Sequence, residues 1–150
     1  MGIFDIFKKK QNLVDDIFGK LRYSTFSDKS KNFYDGTVMF DRKEIGITID
    51  ADENGPTKTQ KQFYSKLRND YSAMKIEIII PHLKNELKDW DVENEIIDFD
   101  KEFAIDGISL TRITDKSVCW SLTLYSTKIS HYLTIEFINQ EPQKGIMVDG

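Results

Sequence analysis

Cysteine is almost missing from this chain of 150 residues, which has a single one, Cys119. One cysteine cannot form an intrachain disulfide, and a chain of this length and composition can bury a core that needs none. A secretory signal is missing too, because the first apolar stretch is interrupted by Asp5 and then by Lys8, Lys9 and Lys10. Together these absences predict a cytoplasmic protein in a reducing compartment.

Long hydrophobic runs and concentrated basic charge are also scarce. No run approaches the roughly 18 apolar residues that a membrane span needs, and the isoleucines at 78–80 end at Pro81. The 17 lysines and 4 arginines are spread along the chain, whereas nucleic-acid binding normally needs a concentrated basic face. The sequence therefore predicts no integral membrane span and no nucleic-acid partner, and it leaves the oligomeric state open.

Motifs for cofactors and metals are missing from the chain. There is no GxGxxG or GxxxxGK[ST] for phosphates and no CxxC, HxxxH or HExxH for zinc. Residues 50–55 read D-x-D-x-N-G, the first half of a calcium loop, but Lys58 and Lys61 occupy later ligand positions. We therefore predict no cofactor and no metal site, and a polar strand-to-helix turn at 50–55.

Three side chains could take part in nucleophilic catalysis: Cys119, His82 and His131. A nucleophile needs a base within hydrogen-bond reach, and only the fold could bring these residues together. Cys119 lies between Val118 and Trp120 in an alternating pattern that is typical of a small, buried, inert thiol. No catalytic residue is assigned, and a small hydrolase or transferase using Cys119 or a histidine with carboxylates is the alternative to a binding protein.

Residues 1–18 are predicted to form an N-terminal helical lead, and residues 19–150 a single domain. The lead is partly amphipathic, with apolar residues on both sides of a lysine cluster. A second alternative function follows from it, namely a peripheral membrane protein in which Ile3, Phe4 and Phe7 enter the bilayer surface.

Strand patterns occupy both ends of the predicted domain. Three strands are expected before residue 51 and four after residue 106, and the clearest alternates Val118, Trp120, Leu122 and Leu124 with polar residues. This alternation predicts that Trp120 is largely buried.

A helical pattern separates the two groups of strands. Thr57 and Gln60 are spaced as a capping box, and apolar residues then recur at helical spacing along one stripe: Phe63, Leu67, Tyr71, Met74 and Ile78. Pro81 removes a backbone donor, which predicts a kinked helix or two helices, although the isoleucines at 76–80 also suit a strand. The expected fold is an α+β domain, with an antiparallel sheet of about six to seven strands, a central kinked helix pair on one face and a short N-terminal helix.

Acidic residues are concentrated between positions 89 and 102, against one base, Lys101. They are Asp89, Asp91, Glu93, Glu95, Asp98, Asp100 and Glu102. Such a segment is either a solvated connection or a docking surface for a basic protein partner, whose association it would accelerate.

Residues 18–150 resemble small bacterial α+β domains of unknown function, some of which lie near toxin genes. The resemblance is carried by "FGKL", by the strands "DGTVMF" and "IGITID", by a helix that runs to "LKNELKDW", by "SHYLTIEF" and by the terminal Asp149 and Gly150. It implies a role of the toxin-immunity type and carries over no catalytic residue. The leading hypothesis is a bacterial, cytoplasmic, non-enzymatic protein-binding module.

Overall fold

A computed structural model describes residues 12–90, 95–111 and 117–150 of the chain. Nine β-strands and one long helix make up most of this part. Four strands precede the helix: β1 (Asn12–Asp15), β2 (Gly19–Ser24), β3 (Phe33–Phe40) and β4 (Lys43–Asp50). Five follow it: β5 (Phe103–Leu110), β6 (Cys119–Ser126), β7 (His131–Ile138), β8 (Glu141–Pro142) and β9 (Met147–Asp149). The long helix consists of α1 (Lys58–Met74), a π-helical turn (Lys75–Ile79) and α2 (Ile80–Glu86), and a short α3 (Phe99–Glu102) leads into β5.

The strands form one sheet in the order β1 to β8, with β9 beside β7. Neighbours are antiparallel except β4 and β5, which run parallel, with Ile47 opposite Ile108. Parallel neighbours need a crossover connection, and the long helix supplies it. Because the helix returns over the sheet, it covers one face of both groups of strands.

Alternating apolar residues turn one face of the sheet toward the helix, as the sequence predicts. Ile45, Ile47 and Ile49 of β4 are buried, and so is Leu122 of β6. Trp120 is 2% exposed, which confirms its predicted burial.

The predicted fold class is wrong in its helices and in its strand count. The helix from 58 to 86 is one continuous element of 29 residues rather than a kinked pair. No helix in the described ranges is both long and apolar enough to cross a bilayer. The prediction missed two short strands, β1 with four residues and β8 with two. Strands of this length are too short to show a periodic pattern.

The π-helical turn explains why Pro81 does not kink the helix. At the end of this turn the Ile80 N–H donates to the Lys75 carbonyl, five residues back. The extra residue moves the buried stripe from Met74 to Ile79 and then to Leu83, so that Ile78 is only half-buried. In this wider turn backbone N–H groups bond to carbonyls five residues back instead of four. The regular helical bond that a proline cannot make is therefore already absent there. Residues 76–80 are therefore helical rather than a strand.

The predicted N-terminal helix is also wrong where the structure describes it. Residues 12–15 form β1, which pairs with β2 from Asn12 opposite Arg22 to Asp15 opposite Gly19. Asp15 Oδ1 accepts hydrogen bonds from the N–H groups of Ile17 and Phe18 and so forms the turn. Residues 1–11, with the proposed membrane-contacting side chains, lie outside the described part of the chain.

Gln60 fixes the start of the helix to the sheet. The predicted capping box is confirmed, since Gln60 N–H donates to Thr57 Oγ1 and Thr57 N–H donates to Gln60 Oε1. Gln60 Nε2 also donates to the carbonyls of Asp50 and Thr111 at the ends of β4 and β5. This buried amide thereby connects three elements.

Candidate functional site

A groove of about 570 Å³ lies between α1 and the turn that joins β7 to β8. Apolar side chains form its walls: Phe63, Leu67 and Met74 come from α1, Trp120 from β6 and Ile138 from the end of β7. The groove therefore combines one wall from the helix with one from the sheet.

Trp120 gives the groove a fixed wall. Its ring stacks on Phe137 with centroids 4.3 Å apart and planes 10° apart, and Phe63 lies 5.8 Å away on the helix. The indole Nε1–H donates to the Asn139 carbonyl at 2.7 Å. Asn139 is held in turn, because its Oδ1 accepts from the Val118 N–H. Trp120 is 2% exposed, so it supports the groove from beneath, and Phe63 and Ile138 present the more exposed apolar surface.

The rim of the groove is polar and net negative. Lys66 and Asp70 lie one helical turn apart on α1 and form an ion pair. Glu141 lines the opposite side, and the ion pairs of the described residues do not include it. A carboxylate therefore remains uncompensated beside an apolar floor.

The acidic segment predicted as a docking surface is only partly described, since Asp91 and Glu93 fall in the undescribed residues 91–94. At its end the carboxylates pair with lysines of this same chain. Asp98 Oδ2 lies 2.9 Å from Lys101 Nζ, and the hydrogen bond from Lys101 lowers the pKa of Asp98 below its ordinary value. Asp89 and Glu95, at the other end, are exposed.

Asp100 attaches this segment to the π-helical turn. Lys75 Nζ lies 2.9 Å from Asp100 Oδ1 and 3.9 Å from Asp41 Oδ2, in the β3–β4 turn. The ammonium also lies 5.9 Å from the ring centroids of Tyr71 and Phe99. Lys75 thus joins three parts of the fold.

Glu102 anchors the same segment from the other side. Burial acts to raise its pKa, but hydrogen bonds from the N–H groups of Asp98 and Ile97, with the charge of Lys128, lower it overall. Glu102 Oε2 lies 3.2 Å from Lys128 Nζ. Of the five carboxylates of this segment that the structure describes, three therefore have partners within the chain.

The possible nucleophile and bases are not brought together. Cys119 is exposed, so the prediction of a buried thiol is wrong, because its side chain alternates with Trp120 and points away from the helix. His131 lies opposite Ser126 at the far end of β6. Seven strand residues of about 3.3 Å each separate Cys119 from that end, more than roughly 20 Å. His82 lies on α2, on the other face of the sheet.

Lys61, which occupies a ligand position of the calcium-like loop, has another role. Its ammonium lies 2.7 Å from Asp15 Oδ2 and 2.7 Å from Asp16 Oδ1, and these hydrogen bonds raise its pKa. In the loop itself, the Asn54 N–H donates to Asp52 Oδ1, as in a polar turn. Among the described residues, no group of three or more His, Cys, Asp or Glu is arranged to hold a metal ion.

Sequence reasoning missed two buried tyrosine hydroxyls on α1. It placed Phe63 on the buried stripe, whereas Tyr64 is 0% exposed and Phe63 only half-buried. The hydroxyls of Tyr64 and Tyr71 have no hydrogen-bond partner among the described residues. Burial raises the pKa of Tyr64 to about 12, and it raises the pKa of Tyr71 further. The one available signal was helical spacing, since residues 60, 64, 67, 71 and 74 share a face.

Comparisons of the chain with protein-family models, with curated proteins and with solved structures found no match.

Proposed function

We propose that this chain is a non-enzymatic binding module for a basic protein partner, which it holds at the groove between α1 and the β7–β8 turn. The observation that carries the proposal is the preformed apolar wall around Trp120, next to a rim with an uncompensated carboxylate. The sequence resemblance to bacterial domains near toxin genes supports a partner of the toxin kind.

The apolar floor suits one or two large side chains of a partner. Interfaces concentrate their binding energy in a few buried anchors that fill preformed pockets. Phe63, Leu67 and Ile138 offer such a pocket without the cost of ordering a loop, since they stand on a helix and at a strand end.

The charges around the groove favour a basic partner. The carboxylate of Glu141 makes the rim of the groove net negative, and the chain as a whole has a formal net charge of −4. Long-range attraction between such a surface and a cationic protein raises the association rate and is screened by salt. The exposed Asp89 and Glu95 would add to this field, whereas Asp98, Asp100 and Glu102 are largely neutralised by lysines.

The proposal places the protein in a reducing cytoplasm. Its single cysteine is a free, exposed thiol, and exposed thiols persist where glutathione and thioredoxin keep them reduced.

The experiment begins with a photo-crosslinking amino acid at Gln140, which lines the groove. The same residue at Lys43, an exposed site in the β3–β4 hairpin, is the matched control. After irradiation in native cell lysate, we expect a basic protein to be crosslinked from Gln140 and not from Lys43. Equal capture at both sites would contradict the groove as the binding site.

Calorimetry with the purified partner then tests the groove itself. We expect Ile138→Glu to raise the Kd at least about tenfold, because it places a charge among apolar anchors. Met147→Glu, on an exposed residue of β9, should change the Kd by less than about twofold. Salt raised from about 50 to about 300 mM should weaken wild-type binding. If Ile138→Glu binds like the wild type, the groove is not the interface.

A further inference from the structure

In the outer half of β3, no strand of the described residues lies on the side toward β2. The β2–β3 pairing ends with Leu21 opposite Gly36, whereas β3 continues to Phe40, paired there with β4 alone. A Cβ atom on Gly36 would lie 2.6 Å from the Lys20 carbonyl oxygen. The β2 backbone therefore passes directly against β3 at this glycine and then leaves it to pair with β1.

The hairpin turn determines which backbone groups of β3 face outward. Asp41 and Arg42 form the two-residue turn between β3 and β4, with φ of 45° and 64°. Such a turn is closed by a hydrogen-bonded pair, here Phe40 and Lys43. Since bonding directions alternate along a strand, the N–H and C=O of Met39 point away from β4. In the described part of the chain these two groups form an unpaired strand edge.

This edge lines a notch of about 260 Å³. Thr37 and Met39 form one side, Tyr64 and Arg68 of α1 another, and Ile17 to Gly19 of the β1–β2 turn close an end. The notch is therefore small, and the β1–β2 turn closes it where an added strand would continue.

Tyr64 contributes a buried donor to the lining of the notch. Its side chain is 0% exposed and its hydroxyl has no hydrogen-bond partner among the described residues. A buried polar group without a partner is unfavourable, because folding removed its bonds to water. An acceptor that entered from the notch as far as this hydroxyl would restore that bond.

Arg68 brings a permanent positive charge to the same place. Its guanidinium carbon lies 5.9 Å from the centroid of the Tyr64 ring, and no carboxylate of the described residues forms an ion pair with it. Guanidinium groups bind carboxylates through two parallel hydrogen bonds. The Arg68 cation, the Tyr64 side chain and the edge of β3 therefore line one notch.

We infer that this notch binds the C-terminal end of an extended peptide from a partner protein. The last residues of the peptide would add to the edge of β3 at Met39, as in other cases of strand addition. The terminal carboxylate would accept hydrogen bonds from the Tyr64 hydroxyl and from Arg68. A chain end fits better than an internal segment, because the β1–β2 turn blocks continuation.

The site is separate from the groove of the proposed function. Phe63, Leu67 and Asp70 of α1 face the groove, whereas Tyr64 and Arg68 face β2 and β3. Substitutions in one site should therefore leave binding at the other unchanged, which makes the two proposals independently testable.

The test uses the full chain and a library of fluorescent hexapeptides with free C-terminal carboxylates, measured by fluorescence polarisation. The same peptides with amidated C termini are the first control. We expect a subset of free-acid peptides to bind and amidation to weaken them at least about tenfold, as for the loss of a charged hydrogen bond. Tyr64→Phe and Arg68→Gln should each weaken binding about tenfold, with Arg68→Lys in between.

Two further variants separate binding from folding. Met39→Pro removes an N–H that points away from β4, so it should weaken the peptides while circular dichroism stays unchanged. Ile138→Glu, in the groove, should not affect them. The inference is overturned if no free-acid peptide binds, if amidated peptides bind equally well, or if Tyr64→Phe and Arg68→Gln bind like the wild type. The inference is also overturned if binding depends on an acidic side chain within the peptide and not on its C-terminal carboxylate.

Discussion

The two flanks of α1 bury aromatic rings to a similar extent but treat their polar atoms differently. Facing β6 and β7, Trp120 stacks on Phe137 and its indole N–H has a partner in Asn139. Facing β2 to β4, the rings of Tyr64 and Tyr71 both pack against Phe40 of β3, yet both hydroxyls lack partners among the described residues. The first flank satisfies its polar groups and stabilises the fold. The second retains unsatisfied donors, and such groups in a native protein call for an explanation such as ligand binding.

The largest expected effect is on the satisfied flank. Trp120→Ala should lower the free energy of unfolding by about 3–5 kcal/mol, because it removes a stacked, buried ring and leaves a cavity. Urea denaturation followed by circular dichroism measures this loss. A loss below about 1 kcal/mol would show that this flank does not hold the fold together.

A smaller effect is expected on the unsatisfied flank at alkaline pH. Burial raises the pKa of Tyr64 from its ordinary value of 10.0 to about 12 in the folded protein. Between these values the unfolded chain releases the proton first, so the free energy of unfolding falls as pH rises from 10 to 12. Tyr64→Phe should remove a decline on the order of 2 kcal/mol from the pH profile.

Tyr132→Phe serves as the control for this profile, because Tyr132 is an exposed tyrosine of β7. It should leave the alkaline decline as in the wild type. If Tyr64→Phe and wild type decline in parallel from pH 10 to 12, the Tyr64 hydroxyl is not buried in solution.

Removing a hydroxyl at neutral pH should sharpen the contrast between the flanks. Tyr71→Phe deletes an unpaired buried donor, so we expect stability to be unchanged or raised by up to about 1 kcal/mol. Trp120→Phe deletes a paired N–H and part of a ring, and it should cost about 1–3 kcal/mol. Both are measured by urea denaturation at pH 7. A loss above about 1 kcal/mol in Tyr71→Phe would mean that its hydroxyl is in fact satisfied, for example by water.

The sequence predicted the features of this contrast that depend on local pattern. The capping box of Thr57 and Gln60 and the alternation around Trp120 depend on residues close in the chain, and both are confirmed. The sequence did not predict the unbroken helix through Pro81. That helix depends on the π-helical turn, which places Ile79 and Leu83 in the core, and local spacing does not show this packing.

The groove and the notch could not be predicted from periodicity at all. The groove needs Ile138, at the end of β7, beside Phe63 of α1. The notch depends on where β2 leaves β3, at a contact between Lys20 and Gly36. Such sites arise from pairings between distant parts of the chain, and one sequence alone does not reveal them.

The smallest expected effect concerns Glu102, the last carboxylate of the acidic segment. Glu102 has a folded-state pKa below its ordinary 4.5, owing to the N–H groups of Asp98 and Ile97 and to Lys128. The ionised Glu102 carboxylate therefore stabilises the folded protein above pH 4.5, and this stabilisation is lost as pH falls through the folded-state pKa. In Glu102→Gln this acid-side loss should be reduced, and stability at pH 7 should fall by about 1 kcal/mol or less. Urea denaturation between about pH 3 and 7 measures both.

Asp89→Asn, outside these pairs, is the control and should leave the acid profile unchanged. If Glu102→Gln has the wild-type acid profile, Lys128 does not neutralise this carboxylate in solution. The end of the acidic segment would then be free to face a basic partner, as the sequence first suggested.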